Sequence, residues 1–273
     1  MAIIAMTQHL GTHYLELGRL TAERLGYRFF TADEAIAEAS RDYHIPPEQL
    51  VITDERRPHF WERLKTDTER FVQFVRVEIL RAMAADRLVV VGRSVTHMLP
   101  EPACGLRVRL TGPLKERVQA VAADEKLAPA VAERRVRDYD REMRARIQTL
   151  FDVDMDEPGN FNLVLNTFTL PLETLAGMLA GLATEIDRTV TPESWRRLRD
   201  AALAAEVSAA LMVHPKIGRS PLEVQCAAGV VQVNGPGLVP PWDLLISDVA
   251  RRVEGVRAVE VTADEQPIAV RPN

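Results

Sequence analysis

Cysteine is nearly absent from these 273 residues: Cys104 and Cys226 stand far apart, with no C-x-x-C and no His-rich neighbourhood. That spacing excludes a disulfide framework and gives no sign of a zinc site, so both thiols are expected to be small buried hydrophobes. Long apolar runs are missing as well. The longest beyond the amino terminus, Leu175 to Ala183, is too short to cross a bilayer, and no charged lead-in precedes a long apolar core. A soluble, cytoplasmic protein is expected. Nor is there an excess of positive charge, with 34 Lys and Arg against 39 Asp and Glu, a net charge of -5 and a pI near 5.8. A general nucleic-acid binder would need a basic surface for its phosphate contacts, which this balance argues against. A local basic site is still compatible with it. At this length, with 47% hydrophobic residues, two domains are expected.

What is present first is Ala2-Ile3-Ile4-Ala5-Met6, which passes through Thr7-Gln8-His9-Leu10-Gly11-Thr12 into the amphipathic stretch Leu15 to Leu25. This reads as a buried strand turning into a helix, whose first turn offers unpaired N–H groups at the positive end of the helix dipole. An anion can bind there if the loop lets it approach. Tyr27 to Phe30 reads as a second strand, and Thr31 as the N-cap of a helix over Ala32 to Ser40, with Glu34 at the capping-box position. His44-Ile45-Pro46-Pro47 breaks the chain. A helical pattern follows, with Phe60, Trp61, Leu64, Phe71, Phe74, Val75, Ile79 and Leu80 apolar. Leu88 to Val91 is a continuous apolar strand of the parallel, doubly buried kind, and Arg93 stands at its carboxyl end. Open α/β sheets bind ligands at that edge, where a guanidinium can grip a phosphate with two hydrogen bonds. Leu106 to Leu110 alternates with period two and leads through Gly112-Pro113 into a helix over Leu114 to Ala123. Farther on, Arg134, Arg137, Arg141 and Arg144 share one helical face, with opposite-charge pairs four apart at Arg134 and Asp138, Asp140 and Arg144, and Glu142 and Arg146. Phe161 to Thr167 is a fifth strand and Leu172 to Leu182 a helix, giving an α/β layer fold with a parallel sheet near Ala2, Phe29, Val90, Val108 and Val164.

The run Ile3 to Ile36, with Gly11, Gly18, Leu25-Gly26-Tyr27 and Phe29-Phe30, resembles the cytidylate kinase-like family of P-loop nucleoside monophosphate kinases. Val91-Gly92-Arg93, His97-Met98-Leu99 and Asp140-Arg141 carry the resemblance onward, to about residue 183. It implies a P-loop kinase-like parallel sheet flanked by helices, with ATP as donor, a CMP-like nucleotide as acceptor and Mg²⁺ accompanying the ATP. It also implies nucleotide contacts from Gly11, Thr12, His13, Tyr14, Arg93 and Asp140, and catalytic lid cations at Arg137, Arg141 and Arg144, where arginines stabilise a transferring phosphoryl group. Asp54-Glu55-Arg56-Arg57-Pro58 resembles a family segment at the acceptor pocket. The chain departs from the family where a Gly-Ser-Gly-Gly-type loop would stand, since it reads Gly11-Thr12-His13-Tyr14. No G-x-x-x-x-G-K-[ST] occurs, and Asn162 replaces a customary Asp. Two functions fit: a phosphotransferase with a degenerate loop, or an inactive protein that senses a nucleotide or anion.

Beyond residue 199 the pattern changes. Leu203, Val207 and Leu211 share a helical face, two alternating strands flank Ala227-Ala228-Gly229, and a helix from Pro241 to Val253 and a strand over Ala258 to Val261 follow. This small α+β unit resembles the BON domain in Gly229-Val230-Val231-x-Val233-x-Gly235 and Gly255-Val256-x-x-Val259, which implies a phospholipid surface or a protein as partner. Residues 199 to 264 hold six Lys and Arg against eight Asp and Glu, so anionic lipid is the poorer match. The expected organisation is a kinase-like domain over 1–185, a linker over 186–198, a BON-like domain over 199–265 and a tail over 266–273. Lacking glycine and holding Trp195, the bridge from Ala183 to Arg197 is expected to be semi-rigid and largely helical.

Overall fold

The structure is a computed structural model describing residues 2–46, 65–218 and 220–263. Phe60, Trp61, Leu64, the Asp54 to Pro58 segment with Arg56 and Arg57, and the tail lie outside the described residues.

Strand β1 (Ile3–Gln8) is buried along its whole length. The apolar residues Ile3 to Met6 suit this burial, because the strand is parallel on one side to β3 (Leu88–Val91) and on the other to β4 (Gly105–Thr111). With β2 (Arg28–Thr31) and β5 (Leu163–Asn166) at the flanks, the order is β2-β3-β1-β4-β5, all parallel. Ile4, Met6, Val89, Val91, Val108 and Leu110 face one helical layer, α1 (Tyr14–Leu25) and α6 (Leu172–Asp187). Ile3, Ala5, Leu88 and Val90 face the other, made of α2 (Ala32–Tyr43), α3 (Lys65–Ala84) and α7 (Pro192–Val213). The expected α/β class is what the chain adopts. At the start of α2 the capping box closes in both directions, with Glu34 N–H donating to Thr31 Oγ1 at 3.3 Å and Thr31 N–H donating to Glu34 Oε2 at 2.9 Å. A third apolar cluster joins α4 (Leu114–Asp124) to the long α5 (Pro129–Phe151) through Val121, Val136, Tyr139 and Met143, and takes in Leu10 from the turn after β1.

The carboxyl-terminal unit is a three-stranded sheet, β6 (Glu223–Ala227), β7 (Val230–Gly235) and β8 (Ala258–Ala263), in the order β6-β7-β8, with α8 (Trp242–Arg251) against it. The first pair is antiparallel and the second parallel. Helix α7 belongs to both halves. Leu198, Ala202, Ala205 and Ala209 enter the core of α3, while Val207 and Leu211 enter that of the small sheet. Asp200, also on α7, accepts from Ala228 N–H at 2.8 Å and Gly229 N–H at 3.1 Å, fastening the tight β6–β7 turn to the helix.

Candidate functional site

Residues 9–13 carry the chain from β1 into α1. Gly11 has φ +81°, and a Cβ there would lie 2.5 Å from the carbonyl oxygen of Arg117, so both the backbone angle and the close approach of α4 require glycine. Thr12 is fully buried, its hydroxyl donating back to His9 O at 2.8 Å. His13 sits in the left-handed region as the N-cap of α1, makes no side-chain cap, and turns its ring toward Phe168. Beneath the loop, Arg117 donates to Gly112 O at 3.0 Å and Leu10 O at 3.3 Å, and grips the Asp140 carboxylate through two bonds of 3.1 and 2.9 Å. A buried guanidinium thus fastens the carbonyl side of the turn to α5.

Cations converge at the carboxyl edge of the sheet. Arg109 near the end of β4 is 3% exposed and donates to His9 Nε2 at 2.8 Å, which leaves the imidazole proton on Nδ1, shared with Thr111 Oγ1 at 3.1 Å. The other terminal nitrogen of Arg109, Nη1, is buried with no hydrogen-bond partner among the described residues. Burial lowers the Arg109 pKa to about 10, and burial aided by the Arg93 charge lowers that of Arg146 to about 10. His9 falls to about 4 through burial and then the Arg109 charge, and His97 falls to about 4 through burial and then Arg107 and Arg109. The guanidinium of Arg93 lies 5.5 Å from the centre of the Tyr139 ring, whose hydroxyl accepts from Gln8 Nε2 at 3.4 Å. Asp156 comes within 3.8 Å of His9 and 3.9 Å of Arg109. Such an edge, rich in guanidinium groups, suits an incoming oxyanion.

Residues 3–169 match the family model described as the cytidylate kinase-like family. The chain belongs to this family. Among solved structures, an uncharacterized protein from Eubacterium ventriosum superposes with a TM-score of 0.51 at 13% identity, covering 67% of this chain and 99% of its own. A shikimate kinase from Bacteroides thetaiotaomicron gives 0.46 at 14% identity, with 66% and 97% covered, and a gluconokinase from Sinorhizobium meliloti gives 0.43 at 17%, with 70% and 98% covered. No curated protein matches the chain. The first of these likenesses is one of fold alone.

In this cytidylate kinase-like frame, Gly11, Thr12, His13 and Tyr14 lie together in the turn and at the start of α1, and Arg93 lies across the sheet edge beside Tyr139. Asp140 is half-buried against Arg117 rather than paired with Arg144. Asp138, expected opposite Arg134, also pairs elsewhere. Asp138 takes Arg141 at 2.6 Å, Arg144 reaches Asp156 at 2.6 Å, and Arg137 holds Glu133 at 2.8 Å. Helix α5 turns Val136, Tyr139 and Met143 inward, which leaves Arg137 and Arg141 exposed on the opposite side and only Arg144 linked, through Asp156, to His9 and Arg109. Sequence reasoning did not single out Arg109, Arg117 or Arg146 for the site. The available signal was two arginines, Arg107 and Arg109, in a strand of an otherwise doubly buried sheet.

Proposed function

We propose that the chain binds a nucleoside monophosphate, holding its phosphate at the arginine-lined sheet edge, and does not transfer a phosphoryl group to it. The observation that carries this reading is the burial of Arg109 beside His9, with Nη1 left without a hydrogen-bond partner among the described residues and the pKa depressed. A phosphate brought near it would offset the cost of burying that charge. The turn after β1 supports binding without transfer. Mg²⁺ accompanying ATP would need accessible side-chain oxygens, but Thr12 is fully buried with its hydroxyl turned back to His9 O, and the uncharged Asn162, whose Oδ1 accepts from Arg107 N–H at 2.8 Å, stands where the family customarily has an Asp. No lysine stands in the turn. The residues present therefore do not fit the metal and its nucleotide.

The test is thermal unfolding of the full chain with CMP, ATP or inorganic phosphate. Ligand at about a hundred times its Kd adds about 2.7 kcal/mol, which raises Tm by several degrees. CMP is expected to give that rise, and Arg93→Ala to abolish it. An unchanged Tm with every ligand would defeat the proposal. The second reading, phosphoryl transfer from ATP with Mg²⁺, draws on the family match. Turnover of any nucleoside monophosphate in a coupled assay would establish it in place of the first. The BON-like resemblance of residues 199–265 adds a protein partner for the carboxyl-terminal sheet, favoured over a phospholipid surface by its acidic balance.

A further inference from the structure

A cavity of about 330 Å³ lies over β4, with His97, Glu101, Arg107, Phe151 and Asn160 in its walls. That volume is at the small end of pockets that hold small molecules. The walls come from separate parts of the chain: the 3-10 turn Val95–Met98, β4, the last residue of α5, and the turn Pro158–Asn160. Arg107, 18% exposed, is anchored by donating to Leu99 O and also holds the carboxylate of Glu101. Its Nε has no hydrogen-bond partner among the described residues, and neither has Nε2 of His97. Glu101 is different, because its side chain is 70% exposed. The His97 imidazole lies 5.4 Å from the ring of Phe151, which also lines the cavity, and 5.7 Å from that of Phe161, between ring centres.

We propose that this cavity binds a small ring compound bearing an oxyanion, whose carboxylate or phosphate replaces Glu101 on Arg107 while its ring packs against Phe151. Glu101 already shows which chemistry the guanidinium accepts. Being mostly in water, it gives up little on leaving, whereas Arg107 is tied to the Leu99 carbonyl and stays. A ligand oxyanion can meet the planar guanidinium in the same way, and the aromatic wall favours a ring over a bare ion. The cavity wall includes none of His9, Arg93 and Arg109, and the proposal stands independently of the nucleotide reading.

Titration calorimetry on the full chain with benzoate, phenyl phosphate and inorganic phosphate tests it. Benzoate or phenyl phosphate is expected to bind, the tighter of the two naming the oxyanion, with inorganic phosphate weaker for want of the ring. Glu101→Gln removes the internal competitor and is expected to tighten the ring compound's binding by up to about fivefold, the worth of an exposed ion pair. A misfolded chain cannot produce that gain. Arg107→Gln is expected to abolish binding and Arg93→Ala to leave it unchanged. The proposal is overturned if neither ring compound binds, if Glu101→Gln leaves the affinity unchanged or lower, or if Arg93→Ala removes the binding.

Discussion

His9 and His97 stay neutral well into the acid range, because burial and the neighbouring guanidinium groups both oppose a second proton. In the unfolded chain a histidine titrates near 6.5, so the unfolded state takes up protons that the fold refuses. Stability from these two groups is complete above about pH 6.5 and is lost as pH falls toward 4. Glu78 on α3 acts in the opposite sense. It is 2% exposed, and burial raises its pKa to about 7, so stability is highest below about pH 4.5 and falls as pH rises through 7. Glu78→Gln is therefore expected to gain on the parent between pH 4 and pH 8, by an amount on the order of 3 kcal/mol, as read from urea denaturation at several pH values. A constant difference across that range would mean that Glu78 does not titrate on folding. At this scale the place of Arg93, just past a strand end, was legible from the apolar run before it. Arg109 was not. Period-two alternation in Leu106 to Leu110 assigns its odd residues to a solvated face, and the cover over that face comes from the distant turn at Val95–Met98 and the end of α5.

Helix α5 shows what can be read from an element and what cannot. Its helical character and arginine face follow from spacing, but each arginine's partner depends on which carboxylate tertiary packing brings near. Asp140 and Asp138 make the contrast measurable. Asp140→Asn leaves Arg117 as a buried cation under the turn and is expected to cost about 3–5 kcal/mol. Asp138→Asn loosens only the exposed Arg141 and should cost less than about 1 kcal/mol. Chemical denaturation of both variants checks this, and equal costs would contradict a fastening role for the Arg117 and Asp140 pair.

Over the whole molecule, the arrangement of α7 is the least legible feature. Its large residues, Leu203, Val207 and Leu211, share one face and point to the carboxyl-terminal sheet. The face toward α3 consists mostly of Ala202, Ala205 and Ala209, which a search for bulky periodicity passes over and which permit close approach to Phe74 and Val77. Residues 1–185 expressed alone would expose that α3 surface and are expected to melt below the full chain or to aggregate, as judged by gel filtration and thermal unfolding. A soluble, monomeric fragment with the parent's Tm would show that the alanine face contributes nothing. Sheets and folding units need not coincide in this chain. A helix that walls two cores is expected to couple their melting, and a partner that grips only the small sheet would then lend part of its binding free energy to the kinase-like half as well.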